Sequence, residues 1–267
     1  MDFEFGQTAK SEAFLNRHPK FFPAFEGLIG LSNKCFGRTF QPKNRMEDVC
    51  FNLGQACNAD FLELMFLGAN GYGIGALKTL RGFYERAVAL AYMIKHPDKA
   101  DRFTNFAAIQ EYKAIKVALE VVSEAELDQM MQTKELSVAR AKELYEKFKP
   151  EFQETACKKC KSKRTAISWD IDLASMVRDV GEPYNTFYLL GYVLPNFHVH
   201  ATLASSLPNG PSSEELDGRN REEAAFALKT AVGLLLLVIQ AQNSLFSLNL
   251  EAEVVALDKV GTEMWGR

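Results

Sequence analysis

The stretch LRGFYERAVALAYMIKH, residues 80–96, most constrains the fold, because it is apolar on every side of a helix. A helix that is apolar all round is stable at the centre of a domain, where other elements cover each of its faces. This segment therefore predicts a central buried helix. The residues that spread over its faces are Leu80, Phe83, Tyr84, Val88, Leu90, Ala91, Met93 and Ile94.

Helical periodicity extends over almost all of the remaining chain, and no run alternates as a strand would. We therefore predict an all-α fold, a single bundle-like domain of about seven to nine helices around the central one. Ser123 with Glu126 and Asn220 with Glu223 are capping pairs that mark helix starts. We expect helices over 19–35, 45–67, the end of GANGYGIG (68–75) to 96, 98–122, Ser123 to about 150, 170–180, from Pro183 onward, and 220–249. A polar loop is expected at 151–168 and a turn-rich connector at 207–220.

The single domain, residues 1–267, divides by pattern into three parts. We expect an N-terminal helical extension (1–43), a core (44–205), and a connector with a C-terminal packing helix (206–267). The first residues, MDFEFGQTAK, are acidic and lack an apolar run, so we expect no secretory signal. The longest strongly apolar run, 231–239, is about half of the roughly 20 residues that a membrane helix needs, so no membrane partner is expected.

The net charge and the cysteine content limit which binding partners and which cellular compartment we expect. The formal net charge of -3 predicts no overall attraction to nucleic acid, so such binding would need a local basic patch. The five cysteines form an odd number, which together with the absence of an export signal predicts reduced thiols and a cytoplasmic protein. Cys35, Cys50 and Cys57 lie in apolar contexts and are expected to be small core residues.

Polar-tipped side chains recur every four residues in EPYNTFYLLGYVLPNFHVHATL: Tyr184, Tyr188, Tyr192, Asn196 and His200. On a helix they form a slowly drifting ladder. His198 points away from His200 on such a helix, so the two histidines are not expected to share a metal. Pro195 cannot donate to the carbonyl of Gly191, so we expect a kink or break that Gly191 eases.

Arg81 and Glu85 lie four residues apart, and are therefore neighbours on one face of the central helix. Charged groups on a central helix must be paired, because an isolated buried charge is very unfavourable. Two interpretations remain open: a buried structural ion pair, or two groups that line a shared polar cleft.

CKKCKSKR (157–164) combines a Cys-x-x-Cys with a dense basic run. The two cysteines lack partners for a four-ligand zinc site, so no metal is predicted, and no cofactor motif is present. GANGYGIG lacks the spacing of a phosphate loop, and a turn or a close helix crossing is the simpler interpretation. The basic residues either form a solvated loop or contact the phosphate backbone of RNA: Lys158, Lys159, Lys161, Lys163 and Arg164.

LRGFYE, DKADRFTNF (98–106), SW (168–169), GEPYNTFY (181–188) and HVHATL (198–203) together resemble a bacterial family, domain of unknown function 5677. The resemblance spans roughly residues 60–205. It implies that Arg81, Glu85, Tyr184, Tyr188 and His200 are drawn towards one site, and it includes Arg102. The CKKC stretch departs from the pattern. A looser likeness to the HEPN superfamily lacks that superfamily's Arg-to-His motif, because the position four residues before His200 is Asn196.

Two functions follow from these features. The first, which we favour because no catalytic motif is complete, is a binding or regulatory module built around a buried Arg/Glu/Tyr/His cluster. Its partner would be a protein or small molecule, and a homodimer is compatible with it. The second is a metal-independent HEPN-like RNase or phosphotransfer enzyme in a defence or toxin setting. In that enzyme His200 would be the general acid or base, Arg81 would stabilise phosphoryl charge, and Glu85 would orient either group. The substrate would be positioned by Tyr184, Tyr188, Asn196 and Arg102.

Overall fold

The computed structural model describes residues 8–131, 137–155, 160–199 and 213–264. In these ranges the chain forms twelve α-helical segments and one small two-stranded sheet, so the all-α prediction is confirmed. The number of helices exceeds the predicted seven to nine. The chain divides into two compact units: unit 1 comprises Met1–Lys95 with Leu173–Arg267, and unit 2 comprises His96–Asp172. The division into extension, core and packing helix stays a prediction.

Unit 1 contains nine of these segments. They are α1 (Thr8–Arg17), α2 (Phe21–Phe36), α3 (Arg45–Ala69), α4 (Gly73–Lys95), α8 (Leu173–Val180), α9 (Tyr184–Tyr188), α10 (Leu194–Val199), α11 (Ser213–Phe246) and α12 (Glu251–Met264), with α9 and α10 joined by a π turn into one continuous helix. Asn44 caps α3, because its side chain accepts a hydrogen bond from the Glu47 amide at 2.9 Å.

The centre of unit 1 is α4, packed between α3 and α11. Leu80, Phe83, Val88 and Leu90 are completely buried on different sides of α4, so the prediction of a central helix is confirmed. The neighbouring helices approach closely where the chain has glycine. A Cβ added at Gly68 would lie 2.7 Å from Leu228 of α11.

The helix Arg221–Phe246 within α11 is long and apolar enough to cross a membrane by length and composition alone. It is longer than the apolar run that the sequence pattern suggested. However, 61 % of its most apolar window is buried inside the protein, as expected of a core helix.

Unit 2 contains α5 (Ala100–Ala118), α6 (Glu124–Met131), α7 (Val138–Phe148) and the strands β1 (Gln153–Thr155) and β2 (Lys163–Thr165). Its core includes Phe106, Ile109, Tyr145 and Phe152. The capping box before α6 is confirmed: the Glu126 amide donates to Ser123 Oγ at 3.3 Å, and the Ser123 amide donates to Glu126 Oε2 at 2.9 Å.

Several boundaries differ from the predicted ones. The expected loop at 151–168 contains the antiparallel hairpin β1–β2, in which Glu154 pairs with Arg164. The fifth predicted helix is two helices, α6 and α7, and α1 and α12 were not predicted. The last long helix starts at Ser213 rather than at Asn220, so residues 213–220 are helical and not connector.

The long helix ends at Phe246 for a local reason. The backbone turns at Ser247 and Asn249, both with positive φ, and the Leu250 amide donates to Asn243 Oδ1 at 3.0 Å. This hydrogen bond precedes a separate helix, α12, which begins just after the predicted end of the last long helix at 249.

Candidate functional site

Arg81 and Glu85 form an ion pair on α4 at the boundary between the core and solvent. Arg81 Nε donates to Glu85 Oε1 at 3.0 Å, and the two side chains are 21 % and 43 % exposed. The prediction that they are neighbours is confirmed. Neither side chain is fully buried, so the pair is not the fully desolvated ion pair that one of the two interpretations required.

The guanidinium of Arg81 also lies against the first aromatic ring of a stack. Its Cζ is 5.1 Å from the ring centre of Tyr192, within the range of a cation–π contact. The ring of Tyr192 stacks on that of Tyr188 at 5.5 Å with an interplanar angle of 23°, and Tyr188 approaches the ring of Tyr84 at 6.3 Å. The four side chains form a continuous series from the core to the surface, which we call the tyrosine–arginine stack: Tyr84, Tyr188, Tyr192 and Arg81.

The inner end of this stack is anchored in the core of unit 1. Tyr84 is completely buried, and its hydroxyl donates to the backbone oxygen of Tyr184 at 2.9 Å. Burial raises the pKa of Tyr84, as do the nearby Tyr188, Tyr184 and Glu182. Tyr184 itself is buried, which raises its pKa as well. The predicted substrate-positioning residue Tyr184 therefore lies in the core of unit 1, whereas Tyr188 is half-buried beside Tyr192.

The stack depends on a distortion of the helix that carries the tyrosines. Residues Leu189–Val193 form a π turn, and the Leu194 amide donates to the carbonyl of Leu189 rather than one residue later. The turn ends two residues before Pro195, which lacks an N–H, and it contains Gly191 packed on Tyr84. A Cβ at Gly191 would lie 2.7 Å from Tyr84 Cδ2. The expected distortion at Gly191 and Pro195 is present as a π turn, a feature that is frequent at functional sites.

The polar end of the ladder is only partly described. Asn196 is half-buried, and its Oδ1 is buried without a hydrogen-bond partner among the described residues. His198 is 10 % exposed, with Nε2 3.9 Å from Glu223 Oε1 of α11. His200, the proposed acid or base, lies outside the described residues, and its role stays a prediction.

Arg102, the fourth predicted substrate-positioning residue, belongs to unit 2. Its Nε donates to the carbonyl of Trp169 at 2.6 Å and its Nη1 to the carbonyl of Glu151 at 2.9 Å. Its guanidinium also lies 4.5 Å from the ring centre of Phe152. These contacts join α5 to the segments on either side of the hairpin, so the described environment of Arg102 stabilises unit 2.

The basic run is partly on the hairpin. Lys161, Lys163 and Arg164 are exposed there, and Arg164 Nε lies 3.5 Å from Glu154 Oε1 across the two strands. Cys157, Lys158 and Lys159 lie outside the described residues. In the described part of the chain, no group of three or more His, Cys, Asp or Glu side chains is arranged to hold a metal ion.

The sequence did not predict two features that the structure places at the surface. One is the contact of Arg81 with Tyr192, which joins α4 to the π turn and which no spacing rule connects. The other is a cavity beside α1, a helix whose sequence TAKSEAFLNR carries only a weak apolar pattern.

GANGYGIG, in contrast, behaves as the simpler interpretation predicted. It forms the end of α3, a turn at Gly71 with φ of 81°, and the start of α4.

Comparison with known proteins gives one match. The profile of the Family of unknown function (DUF5677) matches residues 47–211, more than half of the chain. No curated protein and no solved structure matches the chain. The matched range includes α4, the π turn and every residue of the tyrosine–arginine stack. The chain therefore belongs to the family of domain of unknown function 5677.

Proposed function

We propose that this chain is a cytoplasmic RNA-binding module and that the tyrosine–arginine stack is its base-contacting surface. The observation that carries this proposal is the stack itself: two parallel tyrosine rings that end at a partly exposed arginine held by Glu85. The sequence favoured a binding module with a protein or small-molecule partner, and RNA as a partner only through the basic run; the proposal keeps the module and takes RNA as its partner.

Aromatic faces and an arginine plane are the groups that proteins use to bind unstacked bases. Base–aromatic stacking contributes about 1–3 kcal/mol per base and tolerates any sequence. Single-stranded RNA is bound in this way because its bases are free to splay out onto Tyr or Arg side chains. Both kinds of group are present here. Tyr188 and Tyr192, on the helix with the π turn, are half-buried, and Arg81 on α4 is partly exposed.

Unit 2 carries a basic segment that can contact phosphate independently of the stack. The protein has a net charge of -3, so any affinity for a polyanion must arise locally. Lys161, Lys163 and Arg164 are exposed on the hairpin of unit 2, with Glu154 offsetting only part of that charge. Lysine and arginine contacts of this kind supply the sequence-independent part of RNA affinity and make it salt-dependent.

The exposure of the Arg81–Glu85 pair separates a binding role from a purely structural one. Exposed ion pairs contribute about 0–1 kcal/mol to stability, because water and salt screen them. Removing one partner of a fully buried pair would cost several times more, because the other charge would remain buried and unpaired. Substitution of Arg81 is therefore expected to leave the protein folded and to weaken binding.

The test uses fluorescence anisotropy with a fluorescein-labelled single-stranded RNA and EDTA in the buffer. Arg81→Lys and Tyr192→Leu are expected to weaken binding about tenfold, which corresponds to the loss of one stacking contact. The matched control is Arg86→Lys, because Arg86 lies on the same helix and is paired with Asp60. A double Lys163→Ala, Arg164→Ala variant should flatten the dependence of affinity on salt.

The same samples decide between binding and the alternative RNase, which the exposed basic hairpin also favours. An intact RNA band on a denaturing gel is expected after incubation with wild-type protein. Cleavage in EDTA that disappears in His200→Ala would establish the metal-independent RNase instead. Absence of any RNA binding, or equal weakening by Arg81→Lys and Arg86→Lys, would contradict the proposed function.

A further inference from the structure

A cavity of about 650 Å³ lies in unit 1 between α1, the end of α3 and α11. Pockets for small molecules typically measure about 300–1,000 Å³. The space exists because the facing positions carry small residues. They are Ala9 and Ala13 of α1, Gly68 at the end of α3, Gly71 in the turn after it, and Ala224 and Ala225 of α11.

The same cavity is lined by three cationic side chains from two helices. Lys10 and Arg17 come from α1, and Arg221 comes from α11. Among the lining side chains that the structure describes, none is acidic. Three positive charges around one cavity contrast with the net charge of -3 of the whole chain, and they create a local positive potential in a concave space.

Lys10 reaches from α1 to the turn after α3. Lys10 lies in the first turn of α1, where the helix dipole favours anions and disfavours a cation. Its stem packs on the turn after α3, since a Cβ at Gly71 would lie 2.8 Å from Lys10 Cδ. Arg17 is in the last turn, where a cation is favourable, and its Nε donates to the carbonyl of Ala13 at 3.1 Å.

One wall of the cavity can form hydrogen bonds without carrying charge. His18 packs its ring on the buried Phe14 at 4.9 Å. Burial lowers the pKa of His18, and the positive charge of Arg17 lowers it further, so the surroundings favour the neutral imidazole. A neutral imidazole has one donor and one acceptor nitrogen.

We propose that this cavity binds a small molecule that carries a phosphate group, with Lys10, Arg17 and Arg221 contacting the phosphate oxygens. Phosphate oxygens accept strong charge-assisted hydrogen bonds from lysine and arginine. The volume exceeds that of a phosphate group, so the ligand has an organic part that lies against the alanines. A soluble ligand fits this geometry, because the cavity is concave and not a flat, basic face.

The test is isothermal titration of the full-length protein with sodium pyrophosphate at low ionic strength. Wild-type protein is expected to bind, and Lys10→Gln and Arg17→Gln are each expected to weaken binding about tenfold or more, as the loss of a charge-assisted hydrogen bond requires. Lys20→Gln is the matched control. Lys20 is an exposed neighbour that lies 3.6 Å from Glu263 and does not line the cavity.

A second variant separates the cavity from surface charge in general. Ala13 is exposed on α1, so Ala13→Phe is expected to retain the helical circular-dichroism signal and the melting temperature while filling the cavity. Binding of pyrophosphate should be lost in this variant although its charge is unchanged. Absence of binding to the wild type, equal loss in Lys10→Gln and Lys20→Gln, or full binding by Ala13→Phe would each overturn the proposal. Arg81→Lys should bind pyrophosphate normally, so this result stands apart from the RNA test.

Discussion

At the scale of single residues, the predicted site residues and the groups around them separate into a buried part and a surface part. Tyr84 and Tyr184 are held in the core of unit 1, whereas Arg81 and Glu85 lie at its edge. The sequence predicted from a spacing of four that Arg81 and Glu85 are neighbours, and its family resemblance implied that Tyr184 lies near them. It could not predict which are buried, because burial depends on how α4 and α9 pack, and Tyr84 itself was identified only as a core residue.

The hydrogen bond and the raised pKa of Tyr84 together lead to a prediction about the stability of the protein. Tyr84→Phe removes the donor to the Tyr184 carbonyl and is expected to lower the free energy of unfolding by about 1 kcal/mol at pH 7. The folded-state pKa of Tyr84 is raised above its ordinary value of 10.0. The stability that it contributes is therefore fully present below pH 10 and is lost as the pH rises further.

Urea unfolding of the wild type and Tyr84→Phe at several pH values checks this prediction. The loss of stability above pH 10 should be shallower in Tyr84→Phe, because one buried group no longer has to remain neutral. Tyr72→Phe, a change at an exposed ring, is the control and should follow the wild-type curve. Parallel curves for the wild type and Tyr84→Phe would show that Tyr84 ionisation does not contribute.

At the scale of elements, the π turn of Leu189–Val193 determines how the tyrosines face α4. Gly191→Ala would place a Cβ 2.7 Å from the ring of the buried Tyr84, which has no room to move aside. We expect the variant to lose about 1–3 kcal/mol, as overpacked cores do. Gly30→Ala is the control, since nothing lies within 4 Å of an added Cβ there, and it is expected to be stabilising by about 0.5–1 kcal/mol.

Chemical denaturation measures both changes under identical conditions, and intrinsic tyrosine fluorescence reports on the stack. A Gly191→Ala protein that is as stable as Gly30→Ala would show that the π turn relaxes into a regular helix without loss. The sequence had indicated a distortion here from Pro195 and Gly191 alone. It did not specify a π turn, because the choice between a kink and one extra residue per turn is made by the tertiary contact with Tyr84.

At the scale of the whole molecule, the apolar periodicity was sufficient to predict the helical class and the central position of α4. It missed the hairpin of unit 2, because each strand has only three residues and they are mostly exposed, so no alternation develops. It also missed α1 and α12. It did not indicate the separation of His96–Asp172 as its own compact unit, since that depends on long-range contacts.

The cysteine thiols can test this organisation. Of those that the structure describes, three lie in unit 1 and one lies in unit 2. Cys35, Cys50 and Cys57 are completely buried in unit 1, and burial raises the pKa of Cys35 and of Cys50 to about 12 and that of Cys57 further. The thiolate is the reactive form, so these residues are expected to resist iodoacetamide at pH 8 while the protein is folded. Cys160 is exposed in unit 2 and is expected to react at once.

Quenched labelling with peptide mass spectrometry follows each cysteine separately. If unit 1 opens as one cooperative element, its three buried thiols will become reactive together, at one rate that rises with urea. Unequal rates would instead show that α2, which carries Cys35, opens independently of α3, which carries Cys50 and Cys57. Labelling of Cys50 as fast as Cys160 without denaturant would contradict the packing of α3 against α4, on which the tyrosine–arginine stack depends.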